Sequence, residues 1–206
     1  MRILFITLLL AMPFAARAGL DEEVGALQRE WAEIKYQRPA AEQEKAFAAL
    51  TQTADEMRAR YAGRAELQIW YGIIAASYAG TRGGLGALSL AKDAKKALEQ
   101  ALEIDAKALD GSAYTSLGSL YYQVPGWPIG FGNDDKAREL LQKAVALNPD
   151  GIDSNYFLGD FLYRKGDYEG ARRALGKALK APARPGRALA DEGRRKEIES
   201  LLAAMR

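Results

Sequence analysis

The sequence contains no cysteine and no histidine in 206 residues. Without cysteine there is neither a disulfide framework nor a thiolate nucleophile, so the apolar core alone must hold the fold. Without either residue the usual zinc sites, histidine-ligated haem and the Ser-His-Asp triad are excluded. A carboxylate-only metal or acid-base site survives these exclusions, but no cofactor and no metal is expected. A dominant charge is missing too: 29 basic residues face 27 acidic ones, and setting aside Arg2 and Arg17 makes the two equal. Such a chain lacks the basic footprint of a nucleic-acid binder. The one apolar run, Ile3 to Leu10, is too short to span a bilayer. With Arg2 before it and the small-x-small sequence Ala16-Arg17-Ala18 after it, it reads as a signal peptide over residues 1–18, cleaved after Ala18. No Arg-Arg pair is present in residues 1–18, which argues against the twin-arginine route. The expected product is a soluble periplasmic or secreted protein with no stable membrane anchor.

What is abundant is a nine-residue helical phrase. Ala94, Ala97, Leu98, Ala101 and Leu102 place small and aliphatic residues at i, i+3, i+4, i+7 and i+8, one apolar stripe on a helix. Ala137, Leu140, Leu141, Ala144 and Val145 repeat the spacing, as do Ala171, Ala174, Leu175, Ala178 and Leu179. A degraded copy sits at Ala46, Ala49, Leu50, Thr53 and Ala54. The copies beginning at Ala137 and Ala171 are 34 residues apart, the period of a tetratricopeptide array of paired helices. Tyr114, Leu117, Gly118 and Tyr121 fall where the tetratricopeptide pattern asks for a large residue, Leu, Gly and Tyr. Leu158-Gly159 and Leu162 repeat part of it. Gly166 suits a left-handed C-cap and Asp167 an N-cap. The fold expected is all-α: a tetratricopeptide-type α-solenoid of about four helix hairpins plus a C-terminal capping helix. Residues 19–64 form a divergent first hairpin, 65–185 the clearer repeats, and 186–206 a cap with an apolar face (Ile198, Leu201, Leu202) and a polar outer one.

The distance from repeat Gly to repeat Ala exposes insertions. It is 12 residues from Gly159 to Ala171, but 19 from Gly118 to Ala137 and 22 from Gly72 to Ala94. Seven and ten extra residues are therefore expected at Pro125–Phe131 and within Ala79–Leu88, enlarging two turns on the same edge of the solenoid. Trp70-Tyr71-Gly72, the glycine-rich turn and the run Leu117-Gly118-Ser-Leu-Tyr-Tyr-Gln-Val-Pro125 resemble, in their order, the TatT-type tetratricopeptide proteins associated with TRAP transporters, and the related regulator-of-microtubule-dynamics family. The resemblance covers roughly residues 65–202. It implies a periplasmic scaffold whose partner is a protein or peptide, such as a TRAP solute-binding protein. TatT-type proteins are often lipoproteins, and this chain departs from that in having no cysteine to acylate.

In such arrays the first helix of each pair lines a concave groove. On this register the groove residues are Thr115, Ser119, Tyr122, Asp153, Tyr156, Asp160, Tyr163 and Arg164, with Ser112 and Gln123 beside them. Tyrosines there offer apolar area with a polar tip; the bland alternative is an ordinary solvated inner face. Trp127 and Phe131 in the Pro/Gly-rich insertion should fold back on something. They either plug the groove edge or form a lid with Arg82 and Leu85 of the neighbouring insertion. Asp153 and Asp160 stand roughly 10 Å apart along one helix, near the roughly 6.5 to 9.5 Å of an inverting glycosidase. Nothing else supports catalysis, and an N-cap role for Asp153 is simpler. Gly80, Gly83, Gly84 and Gly86 lack the Gly-Lys-Ser/Thr and preceding strand of a phosphate loop. Lys95-Lys96, Arg172-Arg173 and Arg194-Arg195-Lys196 read as solvated faces. The function expected is a non-enzymatic periplasmic scaffold binding a protein or peptide in its groove. The alternative is a carrier of an apolar or amphipathic solute, closed by the aromatic loop.

Overall fold

The structure, a computed structural model, describes residues 12–205, of which 12–18 and Leu85 are described by backbone alone. The expected signal peptide at residues 1–18 therefore lies outside the residues described in full. The helices, in chain order, are α1 (Met12–Tyr36), α2 (Ala40–Arg60), α3 (Ala65–Arg82), α4 (Gly84–Asp105), α5 (Ala108–Gln123), α6 (Asp134–Leu147), α7 (Ile152–Arg164), α8 (Tyr168–Leu179) and α9 (Ala188–Ala203). They pack as four antiparallel hairpins, α1/α2 to α7/α8, followed by α9. The odd-numbered helices touch one another in sequence and form an inner layer, while each even-numbered helix packs outside between its own partner and the next. The fold is an all-α solenoid of the tetratricopeptide type.

The phrase residues form the seams between layers. Ala94, Ala97, Leu98 and Ala101 are buried, as are Ala137, Leu140, Leu141 and Ala144, and then Ala171, Ala174, Leu175 and Ala178. In α2 the degraded phrase marks the core through Leu50, Ala54 and the partly buried Ala46, with Phe47 added to the stripe, whereas Ala49 and Thr53 face solvent. Each strong phrase places one leucine against one glycine of the preceding helix. A Cβ built on Gly72 would lie 2.6 Å from Leu98 Cγ, on Gly118 2.8 Å from Leu141 Cγ, and on Gly159 2.6 Å from Leu175 Cγ. These helices approach closely because the glycine leaves room for the leucine, which repeats the same knob three times. Gly159→Ala therefore lowers stability by about 1–3 kcal/mol through overpacking. Gly176→Ala, at a helical glycine with open space around its Cβ position, raises it by up to about 1 kcal/mol through helix propensity. Thermal denaturation of the two variants should give shifts of opposite sign.

The ten-residue insertion is not an enlarged turn. It lengthens α3 and α4 until only Gly83 separates them. Gly83 (φ 67°) and Gly84 (φ 62°) make the reversal in the left-handed region that glycine tolerates, and the rest of the segment is free to be helical. The seven-residue insertion does remain a loop between α5 and α6, pinned by a bridge between Gly126 and Gly132. The two lie side by side, since a Cβ on Gly130 would stand 3.3 Å from Leu88 Cδ1. At the start of α5 the chain kinks through Leu109, Asp110 and Gly111, all at positive φ, and Ser112 donates to the Leu109 carbonyl at 2.6 Å. Asp167 caps α8 by accepting from Gly170 N, after Gly166 at φ 79°. Asp153 is not a cap: α7 begins after Gly151, and Asp153 sits in its first turn.

The last helix departs most from expectation. It packs Ile198, Leu201 and Leu202 against the end of the array and leaves Glu192, Lys196 and Glu199 exposed, but it packs on α1 as well as on α7 and α8, so the array closes on itself. Gly193 of α9 allows this, because a Cβ there would meet the Tyr36 ring at 2.4 Å. Asp191 and Arg194 are buried with Ile198. The solvated-face reading holds for Lys96, Arg173 and Lys196 but not for Arg194 or Arg195. Arg195 donates to the carbonyls of Leu179 and Ala181 at the end of α8.

Candidate functional site

The odd-numbered helices converge on one inner groove of about 540 Å³, within the size range of ligand cavities. Trp31 and Trp70 form one aromatic wall, their rings edge-on at 6.2 Å. Ser112, Thr115, Ser116 and Ser119 of α5 line the middle. Asp153, Tyr156, Phe157, Asp160 and Arg164 of α7 form the next wall, and Arg184, Arg187, Arg194 and Glu197 complete it. An adjoining hollow of about 610 Å³ shares Lys35, Tyr156, Asp160, Arg164 and Glu197 with the groove.

The charged wall is an ordered network. Asp153 accepts from Arg184 Nη1 at 2.6 Å through one oxygen and from Arg194 Nε at 2.8 Å through the other. Arg184 also donates to Asp191 at 2.7 Å, and Arg194 pairs with Glu197. The Arg194 guanidinium lies 4.2 Å from the Tyr156 ring centre. Burial alone would raise the Asp153 carboxyl, but the Arg194 and Arg184 charges outweigh it and hold the group well below the usual carboxylate range. The Tyr156 hydroxyl is pushed up to about 12, by burial first. A second cluster ties α5 to α7: Tyr122 donates to Asp160 at 2.6 Å, and Arg164 Nε donates to the same carboxylate at 3.1 Å. Burial, then the Asp160 charge, raises the Tyr122 hydroxyl. Both aspartates are thus engaged as ion-pair and hydrogen-bond acceptors. Among the described residues no group of three or more Asp or Glu is placed to hold a metal ion.

Two donors break the pattern. Trp31 Nε1 donates to Ser77 Oγ at 2.8 Å, but Trp70 Nε1 and Arg187 Nε are buried without a partner. An unmet buried donor costs about 1–3 kcal/mol.

The structure brings most of the expected groove residues together. Thr115, Ser119, Asp153, Tyr156, Asp160 and Arg164 line the groove, with Ser112 and Gln123. Tyr122 stands behind this surface, joined to it through Asp160, with its ring tilted against Phe161 at 5.6 Å. Tyr163 does not enter: in the last turn of α7 its ring meets Tyr168 of α8 at 5.7 Å. The aromatic loop does not close the groove either. Phe131 folds back on Tyr121 at 5.5 Å, but Trp127 is 89% exposed, held away on the tip of the bridged turn beside exposed Ile129. Arg82 is exposed and donates to the Tyr78 hydroxyl at 2.9 Å, because its segment is the end of a helix and not part of a lid. Leu85 lies just past that junction, at the start of α4, and its side chain is outside the description. The residues that sequence reasoning missed include Trp31, Lys35, Trp70, Phe157, Arg184, Arg187, Arg194 and Glu197. A signal for Arg194 was present: Asp191, Arg194, Ile198 and Leu201 share one helical stripe, so the charges had to follow Ile198 inward.

Among the described residues no helix is long and apolar enough to cross a membrane. No curated protein matches the chain. The chain is similar to the crystal structure of MamA, at 21% identity over 82% of this chain and 94% of that one, with a TM-score of 0.47. The tetratricopeptide repeat family model matches residues 130–190, from the loop before α6 into the start of α9. This segment holds the Ala137 and Ala171 phrases and Asp153, so one wall of the groove is built on a tetratricopeptide repeat.

Proposed function

We propose that the chain is a non-enzymatic recognition scaffold that holds a peptide segment of a protein partner in its inner groove. The observation that carries this is the convergence of α1, α3, α5, α7 and α9 on one cavity bearing hydroxyls, aromatic faces and guanidiniums. Hydroxyls on α5 suit the polar backbone of a peptide, and the half-buried Ile73, Tyr156 and Phe157 offer apolar faces for its side chains. Tetratricopeptide arrays serve as concave binding surfaces. The order of features from Trp70-Tyr71-Gly72 to Pro125, similar to TatT-type proteins, supports an extracytoplasmic solute-binding protein of a TRAP transporter as the partner.

The reading also has the protein act after export. It rests on Arg2, the apolar Ile3–Leu10 run and Ala16-Arg17-Ala18. N-terminal sequencing of the chain recovered from an envelope fraction should begin at Gly19, and recovery of the uncut chain from the cytosol would overturn it.

Affinity capture with the exported chain tests the groove. Ser119→Trp fills it from α5 and should cut partner capture by at least about tenfold, a loss of about 1.4 kcal/mol, with an unchanged melting temperature. Trp127→Ala, outside the groove, should leave capture intact. The opposite pattern would move the binding surface to the α5–α6 loop and sink the groove reading. The closure by α9 gives the solute-carrier alternative its own support, because it walls the groove. A small molecule retained in native mass spectrometry and released by Ser119→Trp would favour it.

A further inference from the structure

The Trp70–Arg187 corner of the groove is different in kind from the rest of its lining. Most buried donors in folded proteins have a partner, so an orphan calls for an explanation. Here two orphans are neighbours. The Arg187 guanidinium lies 5.1 Å over the Trp70 ring, and neither Trp70 Nε1 nor Arg187 Nε meets an acceptor. Trp70 is only 3% exposed, and both residues line the groove.

The charge balance points the same way. Lys35, Arg164, Arg184 and Arg194 each have a carboxylate within 4.0 Å. Among the described residues, Arg187 is the groove-lining cation that has none. Burial, then the Arg184 charge, lowers its pKa, the sign of a cation whose charge is poorly compensated. The groove's five cations face the four carboxylates Asp153, Asp160, Glu197 and, behind Arg184, Asp191. One positive charge is left over.

We infer that this corner, on the groove-recognition reading above, binds the carboxylate of the ligand, with Arg187 and the Trp70 indole N–H as its two donors. Both orphans are donors, so the complement is an acceptor-only group. A single surplus charge matches a monoanionic carboxylate better than a dianionic phosphate. A guanidinium meets a carboxylate through two parallel N–H bonds, which fixes the group's orientation. Both N–H groups are closed to solvent, so the Arg187 side chain, which covers the indole, swings outward to admit the anion between them. The half-buried Ile73 and Ala76 of α3 line the same groove. The carboxylate is therefore carried by an apolar group: the C-terminal residue of a peptide, or a free organic acid.

The test uses the full mature chain with Trp127→Phe, which removes the exposed indole so that fluorescence reports Trp31 and Trp70. The probes are an acetylated pentapeptide ending in leucine with a free carboxylate, the same peptide amidated, and 4-methylpentanoate. The free-acid peptide should give a saturable fluorescence change, and amidation should weaken it by at least about tenfold. Arg187→Gln should weaken the acid by a similar factor and leave the amide unaffected. Trp70→Phe should weaken the acid by a smaller factor, and Arg187→Gln keeps the test open if that core variant does not fold. Saturable binding of 4-methylpentanoate alone identifies a free acid as the source and supports the site. Equal binding of acid and amide, no effect of Arg187→Gln, or no saturable response to any probe overturns it. If partner capture then remains sensitive to Ser119→Trp, groove recognition stands without the carboxylate site; if capture ignores Ser119→Trp, groove recognition itself has failed.

Discussion

Replacing Asp153 with alanine is expected to lower the stability of the fold by about 1–3 kcal/mol, the cost of taking a hydrogen-bonded carboxylate from a half-buried ion-pair network, its own side chain being 31% exposed. The carboxylate is the shared acceptor of Arg184 and Arg194, and Arg194 is only 7% exposed. Removing it leaves two guanidiniums of like charge in the same wall. Given a typical domain stability of about 5–15 kcal/mol, this is a large share. Urea denaturation at neutral pH measures it, and a loss below about 1 kcal/mol would show that the network is solvated and worth little. Replacing Asp153, Arg184, Asp191 and Arg194 together by apolar residues should cost less than the single change, since no buried charge is then stranded and Glu197 keeps Lys35.

The same pair sets a pH dependence. The folded carboxyl of Asp153 titrates below its unfolded value of about 3.9. Its contribution is therefore complete above about pH 4 and is lost as the pH falls below that value. The unaltered chain should lose stability below about pH 4 more steeply than Asp153→Asn, which has no such proton to take up.

The second large effect is expected at Phe161. Phe161→Ala should cost about 3–5 kcal/mol, the usual range for a fully buried phenylalanine. Its ring is completely buried against Ala137 and Leu141 of α6, with Tyr122 of α5 at 5.6 Å and the Arg138 guanidinium at 5.1 Å. It fills the junction between the third and fourth hairpins, and α7 carries the groove wall on its other side. The loss is a cavity effect, so it should persist at acid pH where that of Asp153→Ala shrinks. Phe161→Leu should recover part of it by keeping most of the volume. Denaturant melts of the three variants at neutral and acid pH separate the two mechanisms.

The architecture was legible because packing repeats. Three alanine-leucine phrases at fixed offsets mark three outer helices, and the glycines opposite their leucines mark three inner ones. Counting from those positions placed Thr115, Ser119, Asp153, Tyr156, Asp160 and Arg164 on the groove side. Where the count failed, the missing information was tertiary. A cluster of glycines looks like a loop, yet Gly83 and Gly84 suffice for the reversal and the others sit in helices. The tip of a bridged turn can hold Trp127 in water against its own hydrophobicity. The stripe of Asp191, Arg194 and Ile198 could have turned the charges of α9 inward, but nothing local announces that α1 is what they meet. Arg187 was invisible for the same reason: its neighbour Trp70 is more than a hundred positions away in the chain.

That meeting of α9 with α1 has a consequence for how the molecule assembles. In a linear array each hairpin needs only its neighbour, so the ends fray and folding spreads along the chain. Here the first and last helices hold each other, and the contact links the most distant parts of the sequence. Loop closure over that span must be met before the contact gives anything back. The groove wall therefore comes into being late, as the final seam. Once sealed, neither end can loosen without opening the binding cavity, and the array is expected to melt as one cooperative unit.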